Sequence, residues 1–360
     1  MEPRVMVMAG GTGGHVFPAL AVADWLMAEG VDVFWLGTRR GMEAKLIPQR
    51  GIPVEWIEVR GVRGTGLLRR LAAPFVIMKA LWQALRILRR NRPGLVLGMG
   101  GFVSGPGGLM ARLLGIPLVI QEQNAIPGFT NRLLSRFATR VFEAFPGSFD
   151  AARRAVESGN PVRQEIAELP EPAARFEGRT GPLHLLVLGG SLGAQALNET
   201  VPAALARLPA GQRPKVRHQA GERSYDTALF AYEKHGVDAD ISAFEHDMAG
   251  AYGWADLVIC RAGALTVSEL AATGLGAILV PFPHAVDDHQ TRNAAYLVDA
   301  GAALLAPQSS LDAVSLAEML EALLGDRKTL LKMAIAARRL ARPVAAEVVG
   351  RACLEMIENE

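Results

Sequence analysis

The segments RVMVMAGGTGGH at Arg4–His15 and LHLLVLGGSLGAQ at Leu183–Gln195 share one design, and this design decides the fold class. In each segment, a short apolar run leads into a Gly-Gly turn and then into a helical pattern. A buried strand, a tight glycine turn and a helix are the start of a Rossmann-like unit. Two such starts within 360 residues predict two Rossmann-like domains.

Further runs of Val, Ile and Leu alternate with helical patterns, and each is short enough to be a buried strand. The predicted strands are Val5–Ala9, Val31–Leu36, Leu95–Met99, Leu118–Gln121, Leu183–Leu188, Asp256–Cys260 and Ala277–Pro281. Buried strands joined by crossover helices pair in parallel. The predicted fold class is therefore α/β, with two Rossmann-like doubly wound domains facing each other across a cleft and ligands at the carboxyl ends of the strands.

Glycine and proline mark a boundary between the two halves. The run Gly159-Asn160-Pro161-Val162-Arg163 is followed by Pro170, Pro172 and the segment Gly178–Pro182, which is punctuation typical of an interdomain linker. We expect the first domain to end at Arg163 and the second to begin at Gln164.

The composition is that of a globular protein, with 50% hydrophobic and 21% charged residues and no uncharged apolar stretch of 18 residues. The first ten residues hold only a brief apolar run that ends in glycines, so we expect a strand there and no signal peptide. Two cysteines, Cys260 and Cys353, form neither a metal-ligand cluster nor a disulfide framework, which indicates a reducing cytoplasm.

The net charge of +2 conceals an asymmetry between the halves. Residues 1–163 carry 21 Lys/Arg and 11 Asp/Glu, whereas residues 164–360 carry 17 and 25. Between Glu58 and Glu122 there are ten Lys/Arg and no acidic residue. A solvated basic surface is the ordinary explanation, but an unbroken run of one sign favours a surface for anionic partners.

The turn Gly10-Gly11-Thr12-Gly13-Gly14-His15 is predicted to attract an anion, because it opens a helix and exposes backbone amides at the positive end of the helix dipole. No Lys-Ser/Thr pair follows, which excludes a P-loop. Val16 replaces the third glycine of a dinucleotide fingerprint, which disfavours a nicotinamide enzyme. A similar cluster spans Gly98–Gly108. Packing alone explains one such turn, whereas several at one sheet edge favour a pyrophosphate-sized ligand.

In the second half, Gly189-Gly190-Ser191 and the segment Arg261–Glu269 both follow strands and open helices, so two helix N-termini are expected to hold a diphosphate. Glu269 is predicted in the first turn of its helix, where its carboxylate would accept both hydroxyls of a ribose. The alternative is a glutamate favoured there only by the helix dipole, an effect worth about 0.3–1 kcal/mol.

Seven segments in this order resemble the MurG family of GT-B glycosyltransferases: MAGGTGGHVFPALA, GMGGFVSGPGGL, QEQNA, GNPVR, LGGSLGAQ, CRAGALTVSEL and DDHQTRNA. The resemblance covers nearly the whole chain. It implies inverting transfer of GlcNAc from UDP-GlcNAc to the muramyl O4 hydroxyl of undecaprenyl-pyrophosphoryl-MurNAc-pentapeptide, with no metal or other cofactor and no nucleic-acid partner. It also implies that residues 341–360, with a last helix near Val344–Glu358, return to the first domain. That domain would bind the acceptor and the membrane, and residues 164–340 would bind UDP-GlcNAc.

The resemblance assigns the donor contacts to Thr12, Gly13, Gly14, Asn124, Arg163, Ser191, Glu245, Ala264, Leu265, Thr266, Val267, Ser268, Glu269 and Gln290. Asn124 and Gln290 would contact the sugar, and Glu269 the ribose. Arg163 and Ser191 would contact the diphosphate region, and residues 264–268 would present backbone amides to the phosphates. Such groups would stabilise the departing UDP electrostatically.

The catalytic base has two candidates. His15 is the first, because an unperturbed histidine titrates near pH 6.5 and lies at the lip of the first glycine turn. Glu122 is the second. A histidine at a helix start is as often a capping or packing residue.

No metal site is predicted. The pair in Asp238-Ala239-Asp240 precedes a predicted strand and is interpreted as a solvated loop, and Asp287-Asp288 as loop capping. Two positions depart from the family pattern. Glu245 stands where the family usually has Ile beside the uracil, and Gly276 stands where Pro is common, which is expected only to loosen a turn.

The segment Leu67–Arg92 is predicted to be an amphipathic helix, with a possible break near Pro74. Its membrane-facing residues would be Phe75, Met78, Lys79, Trp82 and Arg86. Packing on its own domain is the alternative, and the two interpretations are compatible on different faces. Each basic residue near an anionic leaflet adds about 1 kcal/mol, so we expect a peripheral protein on the cytoplasmic face of the inner membrane.

Two other functions are compatible with this sequence. Another UDP-sugar GT-B enzyme, such as a glycolipid synthase or a sugar-nucleotide epimerase, would share the fold. A non-catalytic membrane scaffold is disfavoured because His15, Arg163, Glu269 and Gln290 are all retained.

Overall fold

The computed structural model describes residues 4–59, 67–190, 193–283 and 288–358. The chain divides into two compact units, Met1–Arg163 with Pro343–Glu360, and Gln164–Arg342. Each unit is built around a sheet of parallel strands that alternate with helices. The predicted α/β class, with two Rossmann-like doubly wound domains, is confirmed.

The first unit contains a sheet of seven described strands. They are β1 (Arg4–Met8), β2 (Asp32–Gly37), β3 (Val54–Trp56), β4 (Leu95–Gly98), β5 (Leu118–Glu122), β6 (Arg140–Glu143) and β7 (Val156–Glu157). The helices are α1 (Gly13–Ala28), α2 (Glu43–Gln49), α3 (Leu67–Asn91), α4 (Ser104–Leu113) and α5 (Phe129–Leu134). The strand order is β3-β2-β1-β4-β5-β6-β7. It reverses between β1 and β4, and the strand ends at such a reversal are where doubly wound sheets bind ligands.

The sequence of β1 explains why helices cover both faces of this sheet. Side chains alternate between the two faces of a strand, and every residue from Val5 to Met8 is fully buried. Val5 and Val7 belong to the core cluster that contains α1 residues such as Leu26. Met6 and Met8 belong to the cluster on the other face, which includes Leu88 of α3. A strand buried on both faces reads as a continuous apolar run, which is why the sequence revealed it.

The second unit repeats this architecture with six described strands in the order β10-β9-β8-β11-β12-β13. They are β8 (His184–Leu188), β9 (Lys215–Gln219), β10 (Asp240–Ser242), β11 (Leu257–Cys260), β12 (Gly276–Leu279) and β13 (Ala303–Leu305). The helices are α6 (Gln164–Ala167), α7 (Pro172–Phe176), α8 (Gln195–Arg207), α9 (Tyr225–His235), α10 (Met248–Trp254), α11 (Ala264–Thr273), α12 (His289–Val298), α13 (Ala313–Leu324) and α14 (Arg327–Arg339). The order reverses between β8 and β11, so the ends of these two strands are the corresponding ligand position.

The last helix, α15 (Ala345–Glu358), belongs to the first unit. Val349, Ala352 and Cys353 are buried in the core cluster that α1 also lines. Gly350 lies against Trp25 of α1, where a Cβ atom would come within 2.2 Å of the indole ring. The close approach of the two helices therefore requires glycine at this position.

Most of the predicted linker is packed into the second unit. The side chain of Arg175 in α7 is buried and donates to the carbonyl oxygens of Thr273 and Gly274 at the C-terminus of α11. Burial and two neighbouring arginines lower the pKa of Arg175 to about 10. A cation at the negative end of a helix dipole is favourable, and here it fixes the segment after Arg163 to the second sheet's helices.

Gly276 does not loosen a turn as predicted. It is the first residue of β12, and its Cα hydrogen faces Met333 of α14, where a Cβ atom would lie 3.1 Å from the methionine Cβ. The absence of a side chain lets α14 approach the strand.

Candidate active site

His15 lies beyond the end of β1, in the first turn of α1. Its ring is partly exposed, and its Nδ1 atom is 2.6 Å from Oε1 of Gln123, which directly follows β5. Gly100, after β4, lies beside this pair, and a Cβ atom there would come within 2.7 Å of the same Nδ1 atom. The ends of β1, β4 and β5 thus meet around one histidine, at the reversal of the strand order.

The first glycine turn binds an anion from within the chain. The amide of Gly11 donates to Oε2 of Glu43 at 2.9 Å, and the amide and hydroxyl of Thr38 donate to Oε1 of the same carboxylate. Glu43 is fully buried at the start of α2. The predicted attraction of this turn for negative charge is therefore met at Gly11 by a glutamate side chain, which leaves the residues from Thr12 onward for a ligand.

Close packing accounts for several glycines of the cluster Gly98–Gly108. A Cβ atom on Gly101 would come within 2.4 Å of the Gly10 carbonyl oxygen, and one on Gly107 within 2.2 Å of the Met8 sulfur. Gly101 also has a positive φ of 82°. Gly101 brings the turn after β4 against the turn after β1, and Gly107 lets α4 pack closely on β1, so packing explains both without a ligand.

Glu122, the last residue of β5, is 1% exposed and holds the loop that follows it. Its Oε1 accepts from the backbone and side-chain nitrogens of Asn124 at 2.9 and 3.1 Å. Its Oε2 accepts from the amide of Gly128 at 3.1 Å and from Nδ2 of Asn131 at 3.0 Å. Four donors occupy this carboxylate, so its geometry is that of a residue that positions Asn124.

Arg163 ends the first of the two chain segments that form the first unit, and its guanidinium lies 5.5 Å from the ring centroid of Phe17 in α1. Phe17 follows His15 by two positions in the same helix. Thr12 is exposed, and Gly13 and Gly14 are partly exposed. The predicted residues of the first unit therefore cluster around the N-terminal turns of α1 and the loop after β5.

In the second unit, α11 begins at Ala264 after an N-cap at Gly263. The first amides of a helix lack partners within it, so they can face an anion. The amide of Val267, however, donates to the Gly263 carbonyl at 2.9 Å and is used inside the helix. The amide of Val267 is therefore excluded from the predicted phosphate-facing amides. Ser268 is partly exposed and can contribute its hydroxyl.

Glu269 lies in the second turn of α11, so its predicted place in the first turn is wrong. Three residues separate the end of β11 from the start of the helix at Ala264, which makes Glu269 the sixth residue of the helix. The side chain is 5% exposed, and its Oε2 accepts from the Tyr252 hydroxyl at 3.0 Å. The helix dipole acts on the first turn, so it does not explain this glutamate.

Gln290 lies in the first turn of α12, and its Oε1 accepts from the amide of Phe282 at 2.8 Å. The guanidinium of Arg261 lies over the ring of Phe282, 5.5 Å from the ring centroid. Arg261 also donates hydrogen bonds to the carbonyl oxygens of Val280 and Pro281. Burial lowers the pKa of Arg261. The ends of β11 and β12 thus hold an arginine that the sequence analysis did not select, although it lies inside the CRAGALTVSEL segment.

The remaining predicted residues are less central. The carboxylate of Glu245 accepts from the amide of Asp247, which in turn caps α10. Asp238 and Asp240 are exposed to solvent, as predicted, but Asp240 is the first residue of β10 and not part of a loop; its carboxylate pairs with Arg217 at 3.6 Å. Asp288 is the N-cap of α12 and accepts from the Thr291 hydroxyl. Ser191 and Asp287 lie outside the described residues.

Metal-ligating side chains are not grouped in the described ranges, where no three His, Cys, Asp or Glu residues could together hold a metal ion. Cys260 and Cys353 are both buried, and burial raises the pKa of each thiol to about 12. Neither thiol is suited to nucleophilic chemistry.

The membrane-facing residues predicted on α3 are exposed on one face of that helix. Phe75 is 78%, Met78 66% and Trp82 59% exposed, whereas Ala84, Ile87 and Leu88 are buried. The helix runs through Pro74 without the break that was considered possible. Leu113 of α4, the helix that packs against α3, is also exposed. One face of α3 therefore packs on its own domain, and the residues of the predicted membrane face are exposed.

The basic residues of this face are also exposed. Lys79 pairs with Glu58 at 2.9 Å, and the guanidinium of Arg86 lies 5.7 Å from the ring centroid of Trp82. An exposed ion pair is worth little in water, so Lys79 can exchange its partner. Among the residues described, no helix is both long enough and apolar enough to cross a membrane.

Two family models match the chain, one in each half of the sequence. The glycosyltransferase family 28 N-terminal domain matches residues 5–143, and the family 28 C-terminal domain matches residues 184–349. A protein of Alkalilimnicola ehrlichii is 60% identical over 355 residues, and one of Nitrosococcus oceani is 59% identical over 356 residues. Both alignments cover 99% of each chain, and both proteins are named UDP-N-acetylglucosamine--N-acetylmuramyl-(pentapeptide) pyrophosphoryl-undecaprenol N-acetylglucosamine transferase.

Solved structures give the same result at the level of the fold. The crystal structure of Acinetobacter baumannii MurG superimposes with a TM-score of 0.84 at 45% identity, covering 98% of this chain and 99% of that one. The UDP-GlcNAc 2-epimerase of Neisseria meningitidis superimposes with a TM-score of 0.68 at 11% identity, covering 99% of this chain and all of that one, and it shares the fold alone.

Two doubly wound units with glycine-rich turns at their strand reversals, matched by these models, define a two-domain GT-B glycosyltransferase. The chain belongs to glycosyltransferase family 28 and, within it, to the MurG family that its motifs predicted.

Proposed function

We propose that this chain transfers GlcNAc from UDP-GlcNAc to the muramyl O4 hydroxyl of undecaprenyl-pyrophosphoryl-MurNAc-pentapeptide, with inversion and without a metal. The observation that carries this proposal is the identity of 59–60% over 99% of each chain to transferases of that name. Its product is the lipid-linked disaccharide precursor of peptidoglycan.

In this proposal the second unit supplies most of the donor contacts, and Arg163 and Asn124 come from the first unit. The amides of Ala264, Leu265 and Thr266 at the start of α11 would bind the diphosphate, joined by Ser191 and Arg163. Glu269 would accept the ribose hydroxyls, and the Tyr252 hydroxyl, which donates to Oε2, would hold its carboxylate in place. Gln290 and Asn124 would contact the sugar hydroxyls. Arg261, whose guanidinium is already fixed over Phe282 and at the carbonyls after β12, adds positive charge near the end of β11.

His15 is the general base. Its Nε2 accepts the proton of the acceptor O4 hydroxyl as the O4 oxygen attacks the anomeric carbon of GlcNAc. The bond from that carbon to the UDP oxygen breaks, its electron pair leaves with UDP, and the configuration inverts. The helix amides and the arginines stabilise the negative charge that develops on the diphosphate. Glu122 acts indirectly, by positioning Asn124.

The acceptor carries a lipid, so the reaction takes place at a membrane surface. The face of α3 formed by Phe75, Met78, Lys79, Trp82 and Arg86 would dock on the anionic cytoplasmic face of the inner membrane, with apolar side chains in the interface and basic ones at the headgroups. The protein would be peripheral.

The epimerase alternative is separated from transfer by its dependence on the acceptor. Purified protein is incubated with UDP-GlcNAc, with and without a soluble short-chain analogue of the lipid acceptor, and UDP release is followed. Transfer predicts that UDP appears only when the acceptor is present. Release or isomerisation of UDP-GlcNAc at an equal rate without the acceptor would contradict the proposal.

A further inference from the structure

We propose that Gln123 fixes the tautomer of His15, with the proton on Nδ1 and the lone pair on Nε2. Gln123 is therefore a positioning residue for the base, and this inference rests on the base assignment made above. Sequence reasoning passed over Gln123, although it stands between Glu122 and Asn124 in the QEQNA segment.

The orientation of the Gln123 amide is determined by a backbone carbonyl. Its Nε2 is 3.1 Å from the carbonyl oxygen of Gln121 and 2.6 Å from Oε1 of the same residue. A backbone carbonyl can only accept, so the nitrogen of Gln123 must face it. The oxygen Oε1 is consequently the atom that faces His15, at 2.6 Å from Nδ1.

The next residues in the network are oriented in the same way. The Nε2 atom of Gln121 lies within 3.3 Å of the carbonyl oxygens of Glu122 and Gly159, so its Oε1 faces Gln123. Asn160 donates through Nδ2 to the carbonyl of Gln123 at 3.0 Å. Backbone carbonyls thus orient all three side chains of this amide chain, Gln123, Gln121 and Asn160.

The tautomer with the proton on Nε2 is costly because the side chains of this amide chain are buried. Gln121 is fully buried, and Gln123 and Asn160 are 1% and 3% exposed. With the proton on Nε2, the lone pair of Nδ1 would face the lone pairs of Gln123 Oε1 at 2.6 Å. Turning the Gln123 amide over would relieve that repulsion but would place its oxygen against two oxygens of Gln121. A buried polar group that loses its partner costs about 1–3 kcal/mol.

This arrangement leaves Nε2 of His15 as the proton acceptor. Within the described ranges, no side chain or backbone group is hydrogen-bonded to Nε2, and the ring is partly exposed. When Nε2 takes a proton, the Nδ1–H bond to Gln123 persists, so the imidazolium is held in the same place. In catalytic triads a carboxylate accepts from the histidine Nδ1–H and orients the ring. Here the neutral amide of Gln123 takes the place of that carboxylate.

The direct test is the tautomer itself. Protein labelled with 15N-histidine is examined by NMR at pH 8, and the His15 signals are identified from their loss in His15→Gln. We expect the wild-type shifts of an Nδ1–H, Nε2-acceptor ring. In Gln123→Met, which fills similar space without an acceptor, the shifts should move towards a mixture of tautomers. Gln83→Met, on α3, removes a glutamine that accepts from the Glu58 amide and should leave the His15 signals unchanged. Wild-type His15 with its proton on Nε2 would overturn the inference, whatever Gln123→Met does.

The kinetic consequence separates this inference from the base assignment. With a soluble acceptor analogue, Gln123→Met should lower kcat/KM by about 10- to 100-fold, less than the full 10²–10⁴ of a lost base, because part of the population keeps the productive tautomer. Gln83→Met should retain wild-type activity. The tautomer of His15 could change in Gln123→Met while both Gln123→Met and His15→Ala keep full activity. In that case Gln123 does fix the tautomer, but His15 is not the base. If His15→Ala loses activity while the tautomer is indifferent to Gln123, the inference fails and the base assignment stands.

Discussion

Replacing Phe75 and Trp82 by glutamate should detach the protein from anionic vesicles without unfolding it. The two side chains are 78% and 59% exposed, so the core does not depend on them. An aromatic side chain offers about 200 Å² of surface, so together they expose roughly 300 Å². At about 25 cal/mol per Å², complete burial would be worth about 7 kcal/mol, and half-insertion at the interface about 3–4 kcal/mol. Vesicle binding should therefore fall by about 100-fold or more, before the repulsion of two added carboxylates is counted.

The assay is co-sedimentation with vesicles that contain anionic lipid, at two salt concentrations. Wild-type binding should weaken at the higher concentration, because salt screens the contribution of the basic residues. Phe230→Glu is a matched control for Phe75→Glu, since Phe230 is 67% exposed on α9 of the second unit. It should bind vesicles as the wild type does. Activity on a soluble acceptor analogue should stay close to wild type in all variants.

Three outcomes would refute this reasoning. Vesicle binding that is unchanged in the folded double variant would place the membrane face elsewhere in the basic half. An equal loss in Phe230→Glu would show that any exposed aromatic residue mediates the binding. Unfolding of the double variant, measured by circular dichroism, would contradict the exposed placement of both side chains.

Three further predictions concern the second unit and the metal. Glu269→Ala should raise the donor KM by about 10- to 100-fold, which is the worth of a hydrogen bond to a charged group, and should leave the acceptor KM unchanged. Tyr252→Phe keeps the carboxylate, so it should raise the donor KM less. An effect confined to the acceptor KM would show that Glu269 does not bind the ribose. Burial lowers the pKa of His218 from 6.5 to about 3, so its contribution to stability is complete above pH 6.5 and is lost as the pH falls towards 3. Between pH 7 and pH 5, this histidine should lower the free energy of unfolding of the wild type by about 2 kcal/mol, measured with urea. The free energy of unfolding of His218→Gln should depend less steeply on pH. An equal pH dependence in the two proteins would contradict the prediction. Activity should survive excess EDTA; loss that Mg²⁺ restores would return Asp287 and Asp288 to consideration as ligands.

The strands were predictable because burial on both faces leaves a continuous apolar signal. All seven predicted strands lie within two residues of observed ones, and β1 and β8 carry the Gly-Gly turns from which the architecture was inferred. Short strands with polar residues, such as β7, left no comparable signal. In this strand both Val156 and Glu157 are exposed.

The sequence predicted which segments form the candidate site, but not which side chains contact one another within it. Motif segments located the turns after β1, β5 and β11, since local sequence determines where a strand ends and a helix starts. The partner of His15 is 108 positions away, and the partner of Gly11 is 32 positions away. Such pairings depend on the register of the whole sheet, which one sequence pattern does not contain. The predicted place of Glu269 in the first turn of α11 was wrong because the helix starts earlier in the sequence than the acidic residue suggested.

The central claim is tested most directly by the mass of the product. Purified protein is incubated with labelled UDP-GlcNAc and a lipid-linked muramyl-pentapeptide, and the lipid fraction is analysed by mass spectrometry. We predict one new species, heavier than the acceptor by a single N-acetylhexosamine residue, formed together with an equimolar amount of UDP and absent in His15→Ala. A folded protein that yields no lipid-linked disaccharide from these two substrates would contradict the account.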